Sequence, residues 1–301
     1  MEPVELRLPA STSNCGPGFD SLSIGLQLYN FCRFTPRSDG KQVITGGDAG
    51  GMEEMSNRAA EAFFKRTGIK PFGFDYELWG EVPPERGLGS SSNVLGGVFL
   101  ALNHLHDNPL DKHECIRQLA RLDNAPDNVC ALVRGGFCVS RVDPVSREYV
   151  DSFHFPVGEE LQFVVACPEI RVRTPEARAI LPDTLPFEEA VSSLNGLAYL
   201  VAAIAKGNYK RLRGSTDDRI HQPFRRVLNP FVDEAIEAGV DAGAYAGWLS
   251  GSGSSVICAS PSETALKVRK AMESVYRSNN IPCRLHSLSS DNDGAAVLGN
   301  D

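Results

Sequence analysis

The sequence lacks the features that mark zinc-binding, secreted or membrane-spanning proteins. It has six histidines without H-x-x-x-H spacing and eight cysteines without a C-x-x-C pair, which argues against a structural zinc site. Its apolar runs are too short and too interrupted to cross a bilayer. The start, M-E-P-V-E-L, is acidic and lacks the apolar core of a signal peptide. These absences predict a cytoplasmic protein with reduced, mostly buried thiols.

An excess of positive charge is also missing. The chain has 30 Lys and Arg against 38 Asp and Glu, a formal net charge of −8. This balance argues against nucleic acid and anionic membrane as general partners, so an anionic ligand would need a local site. With 301 residues, 42% of them apolar, the chain can bury a large core, and we expect two domains.

Two familiar phosphate-binding patterns are absent as well, but a third glycine-rich loop is present. No lysine follows a glycine loop as in G-x-x-x-x-G-K-[ST], and no G-x-G-x-x-G precedes an acidic ribose anchor. Instead, G-L-G-S-S-S at residues 87–92 separates a predicted strand, residues 72–78, from a predicted helix, residues 94–105. Free amides and the dipole at a helix start attract anions. The loop therefore predicts a phosphate site.

The order of predicted elements indicates an α+β protein with two halves. Alternating strand patterns and amphipathic helical patterns follow one another through the chain, with no repeat of fixed period. Ser56 and Ser262 are predicted helix caps, and residues 9–20 are predicted to form a loop. Gly96 and Gly97 weaken the central helix unless close packing compensates. Turn residues at 156–158 predict domains over residues 1–156 and 157–301.

Three stretches together carry a family resemblance. They are P-A-S-T-S-N-C-G-P-G-F-D at residues 9–20, P-x-x-x-G-L-G-S-S-S at residues 83–92 and S-G-S-G-S-S at residues 250–255. In this order they resemble the three motifs of the GHMP small-molecule kinases. Within that superfamily, P-D-N-V at 126–129, T-x-E-A-R-A-I-L-P at 174–182 and P-F-R at 223–225 are most similar to homoserine kinases. The resemblance covers nearly the whole chain.

This resemblance implies a two-domain GHMP kinase architecture, with a ribosomal-S5-like N-terminal α/β domain that binds ATP and a ferredoxin-like α+β C-terminal domain. It implies ATP-dependent phosphorylation of the homoserine hydroxyl, a step of threonine biosynthesis, with ATP and Mg²⁺ as cofactors. It also implies a homodimer. A small-molecule amino acid is the expected partner, with no nucleic acid and no membrane.

The resemblance also implies roles for particular residues. The ATP and phosphate site would comprise Asn57, Pro83, Arg86, Gly87, Leu88, Gly89, Ser90, Ser91, Ser92 and Asn93. The amino-acid pocket would comprise Asn14, Asp20, Asp127, Asn128, Thr174, Arg178, Arg225 and Gly253. Ser91 and Asp123 would hold the magnesium ion, and these two together with Asn128 would form the catalytic group.

These roles suit the chemistry of an amino-acid acceptor. A zwitterion needs carboxylates for its ammonium group and a guanidinium fork for its carboxylate. Phosphoryl transfer depends mainly on alignment and on neutralisation of charge. Because an amide cannot remove a proton at neutral pH, we expect Asn128 to position the hydroxyl, with proton loss to phosphate or solvent.

The chain departs from the family pattern at three places. Asp123 and Ala125 stand where the family usually has Glu and His, and Ser254-Ser255 stands where Pro-Thr is common. The shorter carboxylate can reach magnesium through a bridging water. Two alternatives therefore stay open: a kinase for another alcohol, such as threonine, shikimate or a mevalonate-like acid, and a catalytically silent sensor of ATP or an amino acid.

Overall fold

Two β-sheets with helices packed on them form the protein in the computed structural model, which describes residues 2–46 and 51–299. The predicted domain limits at Met1 and Asp301 lie outside these residues. The strands of the first sheet are β1 (Val4–Ser13), β2 (Leu22–Arg37), β3 (Gln42–Gly46), β4 (Gly73–Gly80), β5 (Phe137–Val142), β6 (Tyr149–Phe155) and β11 (Ala296–Val297). Its helices are α1 (Met52–Thr67), α2 (Ser90–Leu105), α3 (Lys112–Asp123) and α4 (Pro126–Arg134).

The first sheet is built on the long antiparallel pair β1 and β2. The order is β11-β1-β2-β4-β3, and β5 extends from β2 and pairs with β6. The prediction of a loop at residues 9–20 is wrong for its first five residues, because these residues are in β1, which continues to Ser13. The register of the β1–β2 pairing shifts between Pro9 and Ala10. Proline has no amide hydrogen to donate, and it is tolerated at such an irregularity in a strand. The site loop thus begins directly at a strand end.

Helix α2 lies at the centre of the first core, as its glycines predicted. A Cβ on Gly96 would collide with the side chain of Leu132, and one on Gly97 with the hydroxyl of Tyr76. The cap predicted at Ser56 is wrong, because α1 begins one turn earlier, after Gly51, and encloses Ser56. Acidic residues in that first turn favour the earlier start through the helix dipole.

The second sheet has the ferredoxin-like arrangement that the family resemblance implies. Its strands are β7 (Leu161–Pro168), β8 (Ala246–Leu249), β9 (Val256–Pro261) and β10 (Cys283–Leu288), in the order β10-β7-β9-β8. The helices of this half are α5 (Thr174–Ala179), α6 (Phe187–Ala205), α7 (Gln222–Arg225), α8 (Val232–Asp241) and α9 (Ala265–Ser278). Neighbouring strands are antiparallel throughout, and helices connect β7 to β8 and β9 to β10.

The two halves share one of the hydrophobic cores. This core joins Leu22 and Ile24 of the first sheet to Phe163 and Trp248 of the second. Strand β11 returns from the second half to pair with β1. Ser262 is not the cap of α9, because its hydroxyl donates to backbone carbonyls of residues 159 and 160. A boundary near residue 156 stays a prediction, although it coincides with the passage from the first sheet to the second.

Candidate active site

The three glycine- and serine-rich motifs lie against one another. The amide of Ser11 donates to the Leu88 carbonyl at 3.1 Å, and the amide of Gly251 donates to the Ser13 carbonyl at 3.1 Å. The end of β1 therefore lies between the loop of residues 87–92 and the turn of residues 250–255. Segments that are more than 70 residues apart in sequence thus form one continuous backbone surface.

Gly87 is packed tightly onto the third motif. Ser250 donates through its hydroxyl to the Gly87 carbonyl at 2.7 Å and to Thr12 Oγ1 at 2.8 Å. Gly87 has φ +70°, and a Cβ there would overlap the Ser250 carbonyl and approach that of Gly253 to 2.9 Å. Only glycine therefore fits the contact between the two turns.

We expect Gly87→Ala to lower the free energy of unfolding by well over 1 kcal/mol. Left-handed backbone costs alanine about 1–2 kcal/mol, and the clash with Ser250 adds to that cost. Gly68→Ala is the matched control, because Gly68 has φ +75° with nothing within 4 Å of a Cβ. Urea unfolding of both variants separates backbone strain from the clash. Equal losses in the two variants would contradict the packing argument.

The start of α2 presents free backbone amides. Gly89 precedes the helix with φ 75°, and the amides of Ser90, Ser91 and Ser92 find no acceptor within residues 2–46 and 51–299. The next residue, Asn93, anchors the helix by donating from Nδ2 to the Pro9 carbonyl at 2.9 Å. Unpaired amides at a helix start are suited to bind phosphate oxygens.

Asp123 faces this helix start from the end of α3. The Ser92 hydroxyl donates to Asp123 Oδ2, while Ser91 is exposed beside it. Burial raises the pKa of the Asp123 carboxyl, and the Ser92 and Ser91 hydroxyls and the charge of Arg58 oppose that rise. Asp123 forms no ion pair within the described residues. The role predicted for Ser91 stays a prediction; the Ser92 hydroxyl makes the short hydrogen bond to Asp123, and the Ser91 hydroxyl also interacts with this carboxylate.

This arrangement fits a magnesium ion that keeps most of its water. A carboxylate without a cationic partner and two hydroxyls supply hard oxygen donors next to the free amides of α2. The described part of the chain has no group of three or more Asp, Glu, His or Cys side chains able to hold a metal. The remaining ligands would therefore have to be water and phosphate oxygens.

Asp20 gathers two arginines at the edge of the site. Arg178 donates to both carboxylate oxygens, at 2.7 and 3.1 Å, and Arg147 donates to Oδ2 at 3.1 Å. The bidentate bond to Asp20 raises the pKa of Arg178 further above its usual range. Asn14, with φ 68°, supports Asp20 by accepting its amide at 3.1 Å, and donates to the Gly251 carbonyl at 3.0 Å.

Arg225 is buried close to this ion pair. Its guanidinium donates to the carbonyls of Ala177 and Gly251 at 3.0 and 2.9 Å, and lies 3.3 Å from His221 Nδ1. Burial, followed by the charge of Arg178, lowers the pKa of Arg225 to about 10. The residue has no carboxylate in direct contact among the described ion pairs, so an anion would find it available.

His221 links Arg225 to the first motif. Its Nε2 lies 2.9 Å from the Gly16 carbonyl, so the hydrogen-bond network assigns the proton to Nε2 and leaves Nδ1 to accept from Arg225. Burial lowers the pKa of His221 to about 4. Asp218 supports the start of α7 by accepting the amide of His221 at 2.9 Å. His221 is therefore neutral at physiological pH and connects Arg225 to the Gly16 carbonyl through hydrogen bonds.

Asp127 and Asn128 occupy the first turn of α4, between the loop and the ion pair. Burial and the charge of Asp20 raise the pKa of Asp127 to about 7. Asn128 accepts the Ser11 hydroxyl at 2.8 Å and donates to Ser13 Oγ at 3.1 Å. Both hydrogen bonds hold its amide group against the end of β1.

The remaining predicted residues divide into those near these groups and those apart from them. Gly253 and Arg86 lie in the joined turns, where the amide of Ser255 donates to the Arg86 carbonyl at 3.2 Å. Pro83 precedes the same loop. Thr174 begins α5 and is exposed, and its side chain makes no hydrogen bond within the described residues. Asn57 lies on α1, and its buried Oδ1 has no protein partner among the residues described.

Sequence reasoning missed the roles of His221 and Arg147. His221 stands two residues before the P-F-R stretch, a position that in itself signals nothing about Gly16. Arg147 lies in the turn between β5 and β6, and its contact with Asp20 spans 127 residues of sequence. Neither contact had a local signal that could have revealed it.

The chain matches known kinase families and their members. The GHMP kinases N terminal domain matches residues 54–136, and the GHMP kinases C terminal domain matches residues 200–278. A homoserine kinase of Caldanaerobacter subterraneus subsp. tengcongensis is 34% identical over 98% of this chain and 95% of its own. One of Moorella thermoacetica is 34% identical over 97% of this chain and 99% of its own.

Solved structures agree with these matches. The crystal structure of homoserine kinase from Cytophaga hutchinsonii has a TM-score of 0.89 at 25% identity, covering 99% of this chain and 98% of that one. The Methanococcus jannaschii mevalonate kinase, at 13% identity and a TM-score of 0.68, covers 96% of this chain and 98% of its own. The second comparison shows the shared fold alone.

Proposed function

We propose, because the chain belongs to the homoserine kinase family within the GHMP kinases, that it transfers the terminal phosphoryl group of ATP to the side-chain hydroxyl of L-homoserine. The product would be O-phospho-L-homoserine, a precursor of threonine. ATP is the phosphoryl donor of this family.

One observation carries the choice of an amino-acid acceptor. Two carboxylates, Asp20 and Asp127, and two guanidinium groups, Arg178 and Arg225, interact within one small region. A zwitterion satisfies both signs of charge, with its ammonium on the carboxylates and its carboxylate on the arginines. A mevalonate-like acid or shikimate has no cation to offer Asp20 and Asp127. The pocket thus favours an amino-acid alcohol.

The phosphate side of the site lies next to this pocket. The free amides at the start of α2 would bind phosphate oxygens, and Asn57, Pro83 and Arg86 would contact the rest of the nucleotide. Asp123 with Ser91 or Ser92 would hold a magnesium ion. When bound, this ion would neutralise phosphate charge. Arg86 is only partly buried, so it is free to approach a bound anion.

Asn128 would position the acceptor hydroxyl. Its side chain is close to the glycine loop, since a Cβ placed on Gly89 would lie 3.5 Å from Asn128 Oδ1. It also touches the Asp127 carboxylate through Nδ2 at 3.3 Å. An amide cannot accept a proton at neutral pH, so proton loss to phosphate or solvent accounts best for the step. Catalysis then rests on alignment.

A coupled ATPase assay with homoserine, threonine, shikimate and mevalonate tests the proposal. We expect turnover above background with homoserine and the highest kcat/KM for it. A higher kcat/KM for one of the other acceptors would identify a kinase for a different alcohol. Absence of turnover with every acceptor, together with measurable ATP binding, would instead favour the sensor, which the alanine at position 125 motivates.

The raised pKa of Asp127 predicts a pH dependence. The Asp127 carboxyl must be ionised to bind the substrate ammonium group. Because its pKa is about 7, homoserine should bind more tightly as the pH rises through this value. We expect kcat/KM for homoserine to rise between about pH 6 and pH 8 and then to level off. Asp127→Asn should lower kcat/KM and remove the rise. The same rise in both proteins would assign the titration to another group.

The cysteines support a reducing compartment for this reaction. All eight are free, and all except Cys283 are buried. Thiols of this kind are typical of cytoplasmic proteins. Within the described residues no helix is both long and apolar enough to cross a bilayer. We therefore propose that the protein acts in the cytoplasm.

A further inference from the structure

The guanidinium of Arg225 is held by neutral acceptors from three parts of the fold. Its Nε donates to the Ala177 carbonyl on α5 at 3.0 Å. Its Nη1 donates to the Gly251 carbonyl of the third motif at 2.9 Å, and lies 3.3 Å from Nδ1 of His221, the residue before α7. These contacts use three of the five N–H groups of the arginine. The other two, on Nη2, have no acceptor within the described residues.

Neutral acceptors leave the charge of Arg225 available. A buried arginine is usually paired with a carboxylate, and such a partner would neutralise the charge that a substrate carboxylate needs. Arg225 is 2% exposed and has no carboxylate in direct contact among the described ion pairs. Its position therefore depends on carbonyl and imidazole acceptors, and its free Nη2 end is suited to bind an anion.

Two oxygens fix the tautomer of His221. Its Nε2 lies 2.9 Å from the Gly16 carbonyl and 3.4 Å from Asp218 Oδ2. Both oxygens accept hydrogen, so the hydrogen-bond network assigns the proton of the neutral ring to Nε2. Nδ1 then has a lone pair and can only accept, which suits the N–H of Arg225 Nη1. The opposite tautomer would point an N–H at the guanidinium and lose this bond.

Phe19 contacts the imidazole and both arginines of the site. The centroid of its ring lies 5.4 Å from that of His221, and 5.4 and 5.2 Å from the guanidinium carbons of Arg178 and Arg225. Attraction between a cation and an aromatic ring offsets part of the repulsion between the two arginines. His221 is fully buried, so its ring cannot turn away from Arg225 without displacing its neighbours.

We propose that His221 is a positioning residue for the acceptor: by accepting one N–H of Arg225 Nη1, it directs both N–H groups of Nη2 to the substrate carboxylate. This role rests on the proposed function, which supplies an amino acid with a carboxylate. Gly16 belongs to the first motif, so the same imidazole also ties Arg225 to the loop that ends at Asp20. His221 should therefore affect the binding of homoserine and not the transfer of the phosphoryl group.

His221→Asn and His221→Gln separate the two hydrogen bonds of the imidazole. The Asn amide oxygen is as many bonds from Cβ as Nδ1, so it can accept from Arg225 but cannot reach Gly16. The Gln amide nitrogen is as many bonds from Cβ as Nε2, so it can donate to Gly16 but leaves Arg225 without its acceptor. We expect KM for homoserine to rise about tenfold in His221→Gln and less than about threefold in His221→Asn, with kcat within about twofold in both. Because each variant loses one hydrogen bond, their thermal unfolding midpoints should fall alike. Equal increases in KM would overturn the proposal.

An acceptor without a carboxylate shows whether His221 acts through Arg225. Homoserinol keeps the ammonium and the reacting hydroxyl of homoserine but has a hydroxymethyl group in place of the carboxylate. His221→Gln should lower kcat/KM for homoserine about tenfold and change kcat/KM for homoserinol by less than about twofold. Equal losses with the two acceptors would show that His221 only supports the fold, and would overturn its positioning role.

Equilibrium binding separates failure of this role from failure of the proposed function. Titration calorimetry with homoserine needs no turnover, and His221→Gln should raise the dissociation constant about tenfold, against less than about threefold for His221→Asn. A native chain that binds homoserine without phosphorylating it would contradict the proposed kinase activity alone. Unchanged binding in His221→Gln would overturn the role of His221 whether or not the chain is a kinase, and absence of homoserine binding by the native chain would overturn both.

Discussion

Asp123→Asn is expected to lower kcat by about 100- to 1,000-fold at saturating ATP and homoserine. The range is that found when one electrostatic stabiliser of a transition state is removed. Asparagine keeps the shape and still accepts the Ser92 hydroxyl, but it has no charge to hold a magnesium ion. Turnover measured against magnesium concentration should show a weaker apparent affinity for the metal. An unchanged magnesium dependence would remove Asp123 from the site.

The same substitution should not weaken the fold, which separates a catalytic loss from an unfolding effect. The pKa of Asp123 is higher in the folded protein than in the unfolded chain, because burial disfavours the ionised carboxylate. At a pH above this raised pKa, the ionised carboxylate therefore lowers the free energy of unfolding. Removing the charge removes this cost at neutral pH. The free energy of unfolding of Asp123→Asn should equal or exceed that of the native chain at pH 8.

Asp111→Asn is the matched control at the other end of α3. Asp111 is the helix cap and accepts the amide of Glu114 at 2.8 Å, a task that asparagine also performs. This variant should keep both turnover and magnesium dependence. Ser91→Ala and Ser92→Ala then decide which hydroxyl takes part: weaker metal dependence in the first alone would favour the predicted role of Ser91.

Local patterns predicted the elements well where one face of each element is buried. The strand predicted at residues 72–78 is β4, and the helix predicted at residues 94–105 is α2, which ends at Leu105 as predicted. Each signal depends on neighbours a few residues away. The wrong predictions depend on residues that are distant in sequence. The composition of residues 9–13 is typical of a turn, but these residues are in β1 because they pair with β2.

The site was predictable to the level of its motifs, but not to the level of its bonds. The three motifs do meet, because hydrogen bonds join their backbones. The sequence could not show that Ser92 makes the short hydrogen bond to Asp123, since Ser91 and Ser92 are adjacent in the first turn of α2. Nor could it show that Asp20 holds Arg178 directly, across 158 residues. The contact between Asp20 and Arg178 forms only when the two halves are assembled.

Arg178→Ala is expected to raise KM for homoserine roughly 100-fold. The substrate carboxylate would take the place that the Asp20 carboxylate occupies now, against both ends of the Arg178 guanidinium. Loss of such charge-assisted hydrogen bonds costs about 3 kcal/mol, and about 1.4 kcal/mol corresponds to a factor of ten. Initial rates at varied homoserine and fixed saturating ATP measure the effect. KM for ATP should stay within about twofold, since Arg178 approaches none of the amides at the start of α2.

Arg147→Ala is the control for this change, because Arg147 also donates to Asp20 Oδ2. Its side chain is 63% exposed against 37% for Arg178, so solvent screens it more strongly. We expect KM for homoserine to change by less than about threefold in this variant. Arg225→Ala would be a poorer probe, since its buried guanidinium bonds two backbone carbonyls and its loss would weaken the fold. Equal increases in KM for homoserine in Arg178→Ala and Arg147→Ala would mean that both arginines act only by holding Asp20. If Arg178→Ala raised KM for ATP as much as KM for homoserine, Arg178 would not be the residue that binds the substrate carboxylate.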